Sequence, residues 1–409
     1  MASDLLRRLN RGAARIDAKT PAHRDRALDG LRAVALLAVP LGHWLLGGLT
    51  LGGGALHNAS PLSASALSFF APLSWVLQLL GIFFLVGGHS SVRSLARARE
   101  KGVSGAHWVR GRVVRLLRPV LGVAAVWALL IPVLRQLGVP TDTVRTGSTL
   151  VIQPLWYIAV YLGLTALTPY CAALGRRLGA WAAAPLLAVV AVVDLLRYGP
   201  WAEAMPSWLA LVNILPGWMF AYQLGVSWGQ GRLTKTGGRL LLLGGGALFA
   251  ALLLLCHYPA SMVGVPGADR TNSHPPSLLV LALASVQCGA AVLLRARIGR
   301  LLRRPLLWAP VVAVNLFAMT IFCWHQTALF LTALAGSLLG HLPGLTTAPD
   351  SLGWVAARLA WLPLIAGVLA LLARFTRRFD GPWTGLSRTW RTVAGAAAAL
   401  FAAYALGVV

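Results

Sequence analysis

Apolar stretches long enough to cross a bilayer, separated by short polar segments, recur along the whole chain. Eleven of them lie at about 28–49, 72–92, 119–137, 155–174, 181–197, 208–228, 239–257, 277–296, 311–335, 357–373 and 392–409. A helix needs roughly 17–25 apolar residues to span the hydrocarbon layer, so the pattern predicts an all-α fold, a polytopic membrane helical bundle. Residues 1–27 depart from it: arginines mix there with Asp4, Asp17 and Asp25, and a short surface helix on anionic lipid is expected. The chain therefore divides into a basic segment 1–27, a transmembrane domain 28–375, and a loop with a last span in 376–409. The long connections 50–71, 258–276 and 336–356 are expected on one face. The first is uncharged and holds His57, read as an exposed loop histidine; the second carries Asp269, Arg270 and His274 and is a candidate to contribute to a binding site.

Composition narrows this further. With 57% hydrophobic and 11% charged residues, there is too little polar surface for a soluble protein of 409 residues. A net charge of +25 in a soluble protein would point to nucleic acid, but here placement decides. Thirty of the 36 Lys and Arg residues lie in the N-terminal segment and in alternate loops. That is the positive-inside pattern, with the N-terminus cytoplasmic and the C-terminus outside, in the plasma membrane. No soluble basic domain is present, so a nucleic-acid partner is excluded and the lipid bilayer is the expected one. No secretory signal peptide is expected, since the first 27 residues are polar. Cys171, Cys256, Cys288 and Cys323 stand singly without metal-ligand spacing, which predicts buried packing residues and no metal site.

Ionisable groups inside such spans are costly and mark candidate chemistry. The first span reads LDGLRAVALLAVPLGHWLL, with Arg32 near its start and His43 deep inside. An offset of eleven positions is three helical turns plus about 20°, so the two side chains share a face about 16 Å apart along the axis. The second span ends GIFFLVGGHSSVR, where Gly87 and Gly88 allow either close helix packing or room for a ligand, and His89 and Arg93 share the basic end. WVRGRVVRLLRP places Arg112, Arg115 and Arg118 in a stripe suited equally to lipid headgroups and to phosphates. Trp156 and Tyr157 open the fourth span as interfacial aromatics, and His325 stands between Trp324 and Gln326 in an apolar helix. Asp194 is expected to pair with Arg197, and Asn213, Gln223 and Asn315 to bond between helices. Neither a nucleophile elbow nor a phosphate-binding loop is found: GGLTLGGG follows a helix where a strand would be required.

LDGLR with a His eleven residues after its Arg, GIFFLVGG followed by an Arg, and the Arg stripe ending in Pro119 together resemble the acyltransferase type 3 family of membrane O-acyltransferases. PLWYI at 154–158 is similar to that family's Leu-Trp-Phe segment, and FCWHQ at 322–326 to its late Trp-His segment. The resemblance runs from about 25 to 375 and implies a ten-span core, leaving 392–409 as an extra eleventh span. The bias to Arg over Lys is that of a GC-rich bacterial coding sequence, as in actinobacterial members. The resemblance implies no permanently bound cofactor and an acyl-coenzyme A co-substrate, commonly acetyl, entering from the cytoplasm. Its phosphates would meet Arg32, Arg93, Arg112, Arg115 and Arg118, with the Arg-x-x-Arg pair falling on either step of the stripe. Its thioester would lie near His43, with His325 as a second catalytic candidate and Trp156, Tyr157 and Trp324 walling the substrate. His43 would deprotonate the hydroxyl of a sugar, a cell-envelope glycan or a secondary metabolite, or would itself carry the acyl group. A transporter of a small acylated metabolite also fits a buried Arg and His, but the chain shows no internal repeat of the transporter kind.

Overall fold

The computed structural model describes residues 2–265, 270–379, 381 and 388–407; Asp269 lies outside them. α1 (Ala2–Ala18) is the surface helix expected of the N-terminal segment. α2 (Arg26–Leu46) starts at Asp25, whose carboxylate accepts the Leu28 N–H as an N-cap, and ends at Gly47. The next segment, expected as a plain loop, forms an antiparallel hairpin of β1 (Gly48–Gly52) and β2 (Ala55–Ala59). It turns at Gly53 and Gly54 with φ of 58° and 79°, the left-handed conformations that a tight two-residue turn demands. His57 is exposed on β2.

α3 (Leu73–Leu77) and α4 (Leu80–Glu100) share the second predicted span. α5 (Gly105–Gln136) carries the Arg stripe straight into the third, so loop and span are one helix of 32 residues with Pro119 inside it. α6 (Thr141–Ile152) was not predicted; its mixed polar sequence hides a face that buries Val144, Gly147 and Val151. α7 (Trp156–Leu178), α8 (Ala184–Tyr198), α9 (Ile214–Gly229), α10 (Lys235–Leu254) and α11 (Leu278–Leu301) follow the predicted spans. The ninth divides at Phe317 into α12 (Pro305–Leu316) and α13 (Ala318–Ser337), and α14 (Leu352–Thr376) and α15 (Arg388–Ala405) complete the chain. Among the described residues nine helical stretches are long and apolar enough to cross a membrane. One of them, Thr141–Tyr198, holds two predicted spans, while α15, apolar over Thr392–Ala405, is shorter. α15 packs on α5 through Phe401 and Trp127, whose ring centroids lie 6.0 Å apart.

α4 and α9 pack backbone to backbone. A Cβ on Gly88 would collide with the Tyr222 carbonyl, and one on Gly225 with the Leu85 carbonyl, while one on Gly87 would press on the Tyr161 ring of α7, so both glycines of the α4 pair serve helix packing. His89, placed at the interface by its sequence position, is instead buried edge-on to Trp228 with centroids 5.1 Å apart. Gln223 donates to the Cys171 carbonyl at 3.2 Å and Asn315 to that of Asp29 at 2.9 Å, bonding helix to helix as expected. Asp194 does not form the expected ion pair with Arg197. It accepts from Asn213 at 3.0 Å, the Tyr258 hydroxyl at 3.0 Å and the Leu278 N–H at 2.7 Å, which tie the segment before α9, the loop after α10 and the start of α11 to α8. Three cysteines are buried, but Cys256, just past the end of α10, is exposed.

Candidate active site

The last turn of α2 delivers His43 to the wall of a cavity of about 340 Å3 at the hairpin end of the bundle. Trp156 and Tyr157 reach it from the first turn of α7, Phe322 and Gln326 from α13, Asn58 from the hairpin, and Ser273 and His274 from the loop after α10. The Gln326 amide nitrogen lies 3.3 Å from His43 Nδ1. His325, its neighbour on α13, points about 100° away around the helix and is fully buried, with its ring centroid 5.1 Å from that of His43. His325 Nδ1 is 2.7 Å from the Phe322 carbonyl, which can only accept, so that nitrogen carries the proton. Its Nε2 is buried and has no partner. The Trp44 indole donates to the His325 carbonyl at 3.1 Å and so ties α2 to α13 beside both histidines.

His274 packs edge-on against Trp156, centroids 4.7 Å apart. The ring is exposed to the cavity, yet the surrounding wall withdraws it from bulk water, which lowers its pKa below the ordinary imidazole value.

The predicted arginines gather at the opposite, basic end. Arg32 donates to the Ser90 hydroxyl of α4 at 2.8 Å and stands 3.6 Å from Asp29. Arg93 is exposed on α4, one turn beyond Ser90. On α5, Arg112 lies 5.4 Å from the Trp108 ring centroid and within electrostatic range of both Arg32 and Arg115. Arg115 is exposed and Arg118 half-buried. Helix α2 thus connects an arginine group to a histidine-lined cavity.

His43, Trp156 and Tyr157 therefore meet in one cavity, with His325 packed against His43. Trp324 is buried in the core and is not among the side chains that line it. Sequence reasoning assigned no role to Gln326 or His274. Gln326 had a signal, a polar residue beside His325 in an apolar helix; His274 had only its place in a long loop.

A family model described as an acyltransferase domain matches residues 25–408. No curated protein and no solved structure matches the chain.

Proposed function

We propose, since the chain belongs to the acyltransferase family and is a membrane O-acyltransferase, that His43 is the general base of a transfer from acyl-coenzyme A to an acceptor hydroxyl. The observation that carries this reading is the place of His43: on the cavity wall, in contact with Gln326 and His325, and on the same helix as Arg32. The basic end faces the cytoplasm and the hairpin end faces outside. Arg32, Arg93, Arg112, Arg115 and Arg118 take the phosphates of the donor, acetyl-coenzyme A in the simplest case, as charge-assisted bonds. The pantetheine arm runs along α2, which spans about 16 Å between Arg32 and His43, and brings the thioester to the cavity.

The acceptor enters from the hairpin end. The amide and hydroxyl side chains around Trp156 suit a polyhydroxylated molecule, such as a cell-envelope glycan, a sugar or a hydroxylated metabolite. In the structure the Gln326 amide nitrogen faces Nδ1 while its oxygen is buried without a partner; turned over by 180°, the amide puts that oxygen on Nδ1, keeps the ring proton there and leaves Nε2 free as the base. Nε2 takes the hydroxyl proton as the acceptor oxygen attacks the thioester carbonyl. The carbon–sulfur bond then breaks, and the departing thiolate takes the proton back from His43. Trp156 and Tyr157 wall the reacting groups, and His325 backs the His43 ring.

Purified protein given labelled acetyl-coenzyme A and a panel of glycans and hydroxylated metabolites tests this directly. His43→Ala should lower transfer by about 100- to 10,000-fold while coenzyme A still binds, and transfer within about tenfold of wild type removes His43 from the role. In the same preparation, Arg115→Gln should weaken coenzyme A by about 1.5–3 kcal/mol. Unchanged affinity there assigns the stripe to lipid.

A further inference from the structure

A second concavity opens at the basic end, away from the donor arginines. It has a volume of about 820 Å3 and lies between the segment that starts α2, the end of α9, the start of α10 and the end of α11. None of Arg32, Arg93, Arg112, Arg115 or Arg118 lines it. Its cations fall into two sets. Arg24, Arg26 and Arg295 are each held by a carboxylate at 2.6 Å: Asp29, Asp17 and Asp25 respectively. Arg295–Asp25 ties α11 to the N-terminal segment, and the other two pairs hold that segment together around the start of α2. Lys235, Arg300 and Arg303 are exposed on the rim and make no ion pair among the described residues. The floor between them is apolar, formed by Trp228, Leu233 and Val292. The Trp228 ring is fixed by Arg295, 5.4 Å from its centroid.

The positive-inside bias accounts for the sign of these charges but not for their arrangement around a walled, apolar-floored crevice. Three unneutralised cations converging on one concavity are a receptor for an anion with several acceptor oxygens. We propose that this crevice is a second anion site that takes a phosphate-bearing ligand. α10, which contributes Lys235, is exposed at Leu240 and Leu243 by 67% and 71%, the signature of a lipid-facing helix, so the crevice opens beside lipid. Basic pockets between spans at this level of the membrane suit phospholipid headgroups. The two sources of such a phosphate are an anionic phospholipid, which this opening favours, and a soluble phosphate compound such as coenzyme A. The site does not depend on the assignment of His43.

The test uses full-length protein in phosphatidylcholine nanodiscs and the triple variant Lys235→Gln, Arg300→Gln, Arg303→Gln. These side chains are exposed and unpaired, so the variant should keep the wild-type melting temperature. Phosphatidylglycerol and coenzyme A are titrated separately. The expected result is at least a tenfold loss of phosphatidylglycerol affinity with coenzyme A unaffected, since three charged donors to the phosphate are removed together. Loss of coenzyme A affinity alone keeps the phosphate site and assigns it to the soluble ligand. Unchanged affinity for both overturns the proposal. The charge-preserving triple Lys235→Arg, Arg300→Lys, Arg303→Lys should bind more tightly than the glutamine triple; affinity no better than that of the glutamine triple would show that charge is not what holds the ligand, and would overturn the proposal as well.

Discussion

Arg358 on α14 is fully buried, and no carboxylate pairs with it among the described residues. One guanidinium nitrogen donates to the Gly47 carbonyl at 2.9 Å, and the group lies 5.1 Å from the centroid of the Trp354 ring. Nε and the other terminal nitrogen have no partner. Gly47 closes α2, so the counter-charge of this cation is the negative end of the helix that carries His43. Arg358→Met loses one charged hydrogen bond, about 1.5–3 kcal/mol, but removes a buried, under-bonded charge whose desolvation costs several kcal/mol. The expected outcome is a melting temperature equal to or above wild type, with slower transfer because the last turn of α2 loses its anchor one turn from His43. Thermal unfolding in detergent beside a transfer assay checks both. A large drop in melting temperature would show that the Gly47 contact outweighs the buried charge.

At the scale of elements, the close approach of α4 and α9 rests on two glycines that admit no side chain. Gly88→Ala sets a methyl against the Tyr222 carbonyl, backbone that cannot rotate away. Overpacking of this kind costs about 1–3 kcal/mol or more, and the damage should spread, because α4 also carries Ser90, the partner of Arg32. Gly244→Ala on α10, where nothing lies within 4 Å of the added atom, is the control. It should be neutral or stabilising by up to about 1 kcal/mol from helix propensity. Comparing the melting temperatures of the two variants decides the matter; equal values would mean that α4 and α9 can separate without cost.

For the whole molecule, the two ends differ in chemistry: arginines at one, the hairpin and the histidine-lined cavity at the other. Under the proposed orientation, a protease-accessible tag inserted at Gly53, the exposed hairpin tip, is reached from outside intact cells, and one before Lys235 only after the membrane is opened. Cleavage of the Gly53 tag only in opened cells would invert the protein. The cavity and the acceptor would then face the cytoplasm.

The sequence by itself determined that this is a polytopic helical membrane protein, because hydropathy over some twenty residues is a local property that lipid reads directly. Membership of an acyltransferase family was equally legible, carried by LDGLR, by the His43 spacing and by the Arg stripe. Helical periodicity alone put Arg32 and His43 on one face. The tertiary structure decided what no local pattern encodes. It set His325 against His43, brought Gln326 to the His43 ring from a residue 283 positions away, and folded the loop carrying His274 over Trp156. It also turned Asp194 from its near neighbour Arg197 to three donors from elsewhere in the chain, and enclosed Arg358 without a carboxylate among the described residues. The physical reason is common to these cases. A polar group in an apolar bundle must be satisfied by whichever backbone or side chain packing brings within about 3 Å, and that partner is set by how helices distant in sequence cross.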